Sequence, residues 1–111
     1  MALSADILRG YTDTILLKCL DGGDSYGYQM IKQIGDKSGG ALQLKEPTLY
    51  TAFRRLAQEG LIDSYWGDEQ SGARRRYYRL TVKGRERLFS DQEAWRETKH
   101  VLDTLLLDGN E

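Results

Sequence analysis

Proline is almost missing from this 111-residue chain: the single copy is Pro47. There is one cysteine, Cys19, so no internal disulfide can form and a reducing compartment is expected. One histidine, His100, leaves no metal-ligand spacing and no Cys–His nucleophile pair. Glycine is plentiful at 12 copies, yet no phosphate loop of the GxxxxGKS type appears. These absences argue against an enzyme and against any metal or cofactor. No apolar run approaches the roughly 20 residues that span a membrane. The opening MALSADILRG has no basic segment leading into a long apolar run. One cytoplasmic domain, large enough to bury a modest core, is the expectation.

Excess charge is lacking as well: the net charge is −1, which argues against non-specific nucleic-acid binding over the whole surface. The distribution is uneven. Ten basic and six acidic residues lie between Lys45 and Arg87, giving +4 there and −5 over the remainder. A positive middle between negative ends suits one discrete phosphate-facing surface.

The centre of that segment is KEPTLYTAFRRLAQEG, residues 45–60. Pro47 suits the first position of a helix, where a missing N–H costs nothing. Leu49, Ala52, Phe53 and Leu56 recur at helical spacing as an apolar stripe. Thr48, Thr51, Arg54, Arg55 and Gln58 fall opposite, with Tyr50 at the edge, and Gly60 is placed to end the helix in a left-handed conformation. Hydroxyl, amide and guanidinium groups on one exposed face are the groups that reach base edges and phosphates, although an ordinary amphipathic surface helix has the same pattern.

Upstream, residues 6–20 read as one helix with two apolar faces, one to pack on its own domain and one for a partner subunit or ligand. Asp21-Gly22-Gly23-Asp24 is a turn, Ser25 a candidate N-cap for a second helix carrying Met30, Ile31 and Ile34, and Gly39-Gly40 its stop. Leu42 and Leu44 suggest a short strand before the helix at 45–60. Helix, helix, short connection and exposed polar helix make a helix-turn-helix order. Residues 61–66 and 75–80 are β-like and flank a polar, glycine-bounded loop, and alternation puts Arg76, Tyr78 and Leu80 on one side with Arg75, Tyr77 and Arg79 on the other. Such a basic hairpin after an exposed helix reads as a wing; alone it also suits a solvated edge. Thr81 is a candidate N-cap for a last helix on which Leu88, Trp95 and Leu102 lie seven apart, with Leu105 on a neighbouring seam, the spacing of a dimerisation stripe. The alternative is a helix folded back on its own domain.

The chain resembles the PadR family of winged helix-turn-helix transcription regulators. Tyr26-Gly27-Tyr28, Pro47-Thr48-Leu49-Tyr50, Arg55-Leu56 and Gly60-Leu61-Ile62 carry the likeness, with Gly72-Ala73-Arg74-Arg75-Arg76-Tyr77-Tyr78-Arg79-Leu80-Thr81 and Gly84. The match spans nearly the whole chain, and its single terminal helix is similar to that of the small, multidrug-binding members. The resemblance implies a mainly α, α+β fold: a winged helix-turn-helix at 1–80 with a two-stranded wing, a C-terminal dimerisation helix at 81–107 and a disordered tail at 108–111. It implies a homodimeric repressor of operator DNA that responds to a planar aromatic effector. The implied DNA surface is Tyr28, Lys32, Thr48, Tyr50, Thr51, Arg54, Arg55, Arg74, Arg75 and Arg76. The implied effector site is Ile7, Gly10, Tyr11, Thr14 and Lys18 with Asp91, Trp95, Thr98, Lys99 and Leu102. Lys99 stands where the multidrug-binding members carry an acid and Lys18 adds a second cation, so neutral or anionic aromatics are expected. The rival expectation is a winged helix that serves as a protein-interaction module.

Overall fold

The computed structural model describes residues 3–67 and 74–107. Its order is α1 (Ala5–Leu8), α2 (Thr12–Asp21), β1 (Ser25–Tyr26), α3 (Gly27–Lys37), α4 (Glu46–Gln58), β2 (Ile62–Trp66), β3 (Arg76–Leu80) and α5 (Val82–Leu107). This is a mainly helical winged helix with a small antiparallel sheet. The hairpin loop read from the sequence lies mostly, and the tail entirely, outside the described residues.

α4 follows its apolar stripe closely. Leu49, Ala52, Phe53 and Leu56 are all buried, and they meet Leu16, Leu17 and Leu20 of α2, Met30 and Ile34 of α3, and Tyr78 and Leu80 of β3 in one cluster. Phe53 stacks on Tyr78 with ring centroids 3.9 Å apart. Each large side chain buried this way contributes roughly 1.5–3 kcal/mol. Helix α4 begins one residue before Pro47, which is therefore its second residue rather than its first. Gly60 has φ +76° and turns the chain out of the helix.

The sheet has three strands in the order β1-β3-β2, not the two of a simple hairpin. Ser25 is not the N-cap that its position suggests. It lies in β1 opposite Tyr78, buried, with its hydroxyl donating to Gln29 Oε1 at 2.6 Å. Tyr26, extended at φ −126° and ψ 165°, precedes α3 instead. The Leu42–Leu44 stretch is no strand: the Leu42 amide donates to Ser38 Oγ at 3.0 Å, and the Leu42 side chain fills the core. Residues 6–20 form two helices rather than one. The Leu8 carbonyl accepts from the Tyr11 amide at 2.8 Å and from Thr12 Oγ1 at 3.2 Å, closing α1 just where Gly10 is a poor helix former.

Thr81 caps α5 through its Oγ1, which accepts from the Gly84 amide at 2.9 Å. Gly84 and Leu88 are the buried residues of α5. Leu88 thus packs in this chain's own core, which corrects its expected place on a free stripe. Beyond Trp95, its last ring contact with α2, the helix projects from the domain, and the molecule measures 60 Å against 30 and 21 Å.

Candidate nucleic-acid interface

With its stripe buried, α4 turns Thr48, Tyr50, Thr51, Arg54 and Arg55 to the exterior. Tyr50 bridges α3 and α4 as well as facing the exterior. Its ring meets Phe53 edge-on at 5.8 Å and lies across the start of α3 at Gly27. A Cβ at Gly27 would sit 2.4 Å from Tyr50 Oη, so the glycine is what lets α3 and α4 approach this closely.

The two arginines of α4 differ. Arg54 is exposed, and no ion pair to it is found among the described residues. Arg55 donates to Asp13 of α2, across a cleft of about 650 Å³ that separates α2 from α4 and has Arg9, Arg87 and Thr51 on its walls. On α3, Tyr28 is exposed, and Lys32 pairs with Asp36 at 3.0 Å. That hydrogen bond pushes the Lys32 ammonium pKa up, so the group stays charged throughout the neutral range.

The wing divides its arginines between its two faces. On the side shared with the core, Trp66 is opposite Arg76 in the β2–β3 ladder, and the Arg76 guanidinium lies 5.3 Å from the indole centroid while also donating to Ser64 Oγ at 2.8 Å. Arg74 approaches the same indole at 5.7 Å. On the outer side Arg75 lies 4.6 Å over the ring of Tyr26, which meets Tyr77 edge-on. Arg79 pairs with Asp63 at 3.8 Å and lies 5.2 Å over Tyr65. The Tyr65 hydroxyl donates to Asp24 Oδ2 at 2.6 Å, which pushes its pKa up. So Arg74, Arg75 and Arg76 do not all point one way, because strand alternation separates Arg75 from its neighbours.

The residues expected to hold an effector fall into a joined group and an outlying one. Tyr11 meets Trp95 edge-on at 5.3 Å, and Thr14 Oγ1 donates to Asp91 Oδ2 at 2.7 Å, bringing α2 against α5. Arg87 holds the same carboxylate at 3.1 Å. Lys99 pairs with Asp103 at 2.9 Å, whereas Lys18 shares Asp21 with Arg85, at 3.9 and 3.3 Å respectively. Thr98 and Leu102 lie further along the projecting part of α5, and Ile7 is exposed on α1, apart from both pairs. Gly10 lies at the α1–α2 break and borders the cleft beside α4. Cys19 is half-buried between α2 and α3. Burial pushes its thiol up, with Lys37 pulling back more weakly, which keeps it a protonated packing group.

Sequence reasoning missed the side chains that restrain the arginines, Asp13, Trp66 and Tyr26 among them. Trp66 could have been found by pairing the two strands across the loop. Asp13 lies 42 residues from Arg55, and nothing in the local pattern links them.

The comparisons with known proteins agree with this architecture. Residues 16–90 match the model of the Transcriptional regulator PadR-like family. A transcriptional regulator of Clostridium thermocellum has a solved structure with a TM-score of 0.86 and 44% identity, covering 95% of this chain and 99% of that one. A PadR family transcription regulator of Clostridium difficile gives a TM-score of 0.79 at 37% identity, covering 87% and 99%. A curated protein of Lysinibacillus sphaericus, described only as uncharacterised, is 37% identical over 107 residues, which is 96% of this chain and 97% of that protein. The matched segment runs from the α2 core residues through α4 and the wing into α5, and on that ground this chain belongs to the PadR-like family of transcriptional regulators.

Proposed function

We propose that the chain is a homodimeric, cytoplasmic transcriptional repressor that reads operator DNA with α4 and grips the flanking backbone with its wing. The observation that carries this reading is the exposed face of α4. It places two threonines, a tyrosine and an uncommitted arginine beside a wing whose arginines are stacked on aromatic rings. The N-terminal turn of α4, with Thr48 and Thr51, meets bases or phosphates, and Arg54 reaches a base edge or the backbone. Tyr28 and Lys32 add backbone contacts from α3.

The exposed end of α5 supports dimerisation. Trp95, Val101, Leu102, Leu105 and Leu106 are exposed along the projecting helix, and Leu105 and Leu106 are about three-quarters exposed. Apolar side chains in a row on a lone helix gain most by pairing with a second copy. A two-fold axis there sets two α4 helices in successive major grooves, about 34 Å apart, on an inverted repeat. A footprint on the DNA upstream of the protein's own gene tests this. Two protected patches about one helical turn apart, at two chains per site, are expected; a single patch at one chain per site would refute the dimeric reading.

The contacts Tyr11–Trp95 and Thr14–Asp91 support an effector slot at the base of the projecting helix, closed on its open side by the second copy. Lys99 is paired with Asp103 and Asp91 with Arg87, while Lys18 shares Asp21 with Arg85, so the slot suits a neutral or anionic planar aromatic. An effector changes DNA affinity only to the extent that it prefers one spacing of the two α4 helices over another.

A further inference from the structure

The geometry points to Trp66 as the positioning residue of the wing: its exposed indole pre-orders Arg74 and Arg76 for DNA on the side of the sheet that continues into the α4 core. The inference rests on the DNA-binding reading above and goes beyond it, since that reading takes the arginines as the contacts and assigns Trp66 no effect on affinity.

Trp66 is the last residue of β2 and 52% exposed. Ile62 and Ser64 share its face of the strand, opposite Leu80 and Tyr78 respectively, so this face is the one that becomes the core. At Trp66 the core has ended. About half of the indole stays in water, which leaves its ring open to neighbouring groups. Two guanidinium groups lie 5.3 and 5.7 Å from its centroid, within the range at which a ring face attracts a cation. Two like charges drawn to one ring repel each other and, on free side chains, would spread into solvent. The ring quadrupole offsets that repulsion, and Ser64 Oγ fixes the orientation of Arg76 from below at 2.8 and 3.1 Å.

The consequence is entropic. An arginine that orders only on meeting DNA loses its rotamer freedom at that moment and weakens binding accordingly. Arginines already stacked on a rigid ring lose less. Arg75, on the opposite face, has Tyr26 as a separate platform at 4.6 Å, so the effect of Trp66 is confined to two of the wing's arginines.

The test compares Trp66→Leu, Trp66→Phe, Arg74→Ala and Arg76→Ala on the upstream duplex over a series of salt concentrations. Leucine keeps apolar bulk but has no ring face. Trp66→Leu is expected to bind about tenfold more weakly with the salt slope of the wild type, because both charges still reach phosphate. Each arginine variant is expected to lose about one unit of slope. Trp66→Phe, which restores a ring, should recover to within about threefold of the wild type. All four should melt within a few degrees of the parent chain, since the indole is outside the core. Wild-type affinity in Trp66→Leu, failure of phenylalanine to recover it, or a slope lowered along with affinity would each overturn the inference while leaving the DNA-binding reading intact. A wild-type chain that binds no duplex overturns both.

Discussion

Gly84→Ala is expected to lower the thermal midpoint of this domain by roughly 10–20 °C, since among the described glycines its Cβ would meet the tightest contact. A Cβ at Gly84 would lie 2.0 Å from the Leu61 carbonyl oxygen, 2.7 Å from Leu80 Cδ1 and 3.0 Å from the Leu61 carbonyl carbon. Two of those three atoms are backbone and cannot rotate away. The Leu61 carbonyl also accepts the Thr81 amide at 3.2 Å, and Thr81 Oγ1 donates to the Gly60 carbonyl at 2.7 Å. Separating α5 from the 59–61 turn to make room therefore disturbs several hydrogen bonds together. Overpacking typically costs about 1–3 kcal/mol, and an immovable backbone neighbour puts this site at the upper end or beyond. Gly27→Ala is expected to cost less, because the nearest atoms belong to the Tyr50 side chain, which can swing aside at the expense of the α3–α4 approach. Gly35→Ala is the control: nothing lies within 4 Å of its Cβ, and an alanine inside α3 should be neutral or stabilising by up to about 1 kcal/mol. Calorimetry on the three variants checks the order.

Arg54→Ala is expected to weaken operator binding about tenfold or more, and Arg55→Ala only a few-fold, although the two arginines are adjacent. The difference lies in Asp13. Arg55 is tied to it across the cleft between α2 and α4, and to serve a phosphate it must first leave that partner. Arg54 has no such contact to give up. The ion pair is partly exposed, with side-chain accessibilities of 47% and 23%, so breaking it should change folding stability by under about 1 kcal/mol. Asp13→Asn should correspondingly tighten DNA binding a few-fold by freeing Arg55. Equal losses for the two arginine variants would show that Asp13 does not restrain Arg55 in the complex. Titrations on one duplex at one salt concentration decide it.

Much of this was legible in the sequence because it is periodic. The stripe Leu49, Ala52, Phe53, Leu56 needed only helical spacing, and the alternation of Arg76, Tyr78 and Leu80 needed only the two-residue period of a strand. Gly60 and Thr81 announced the end of one helix and the start of another by their backbone and hydroxyl chemistry. What was not legible depends on tertiary contact. Ser25 has the composition of an N-cap, and only the arrival of β3 makes it a strand residue. Leu88 fits a seven-residue stripe, and only the position of α2 and β3 assigns it to the core. The partners of the arginines were the largest gap. A sequence displays a guanidinium as a free cation, whereas Arg55 is held by a carboxylate and Arg74, Arg75 and Arg76 are held by rings.

The most direct measurement of the central claim is binding of the purified chain to the duplex upstream of its own gene and to a shuffled duplex of the same composition, at low and at near-physiological salt. A regulator that reads sequence through α4 keeps the native duplex at the higher salt and loses the shuffled one, because base contacts survive where counterion release alone does not. Equal and weak binding to both duplexes, falling together with salt, would contradict the account and leave the exposed face of α4 and the wing as a surface for a protein partner.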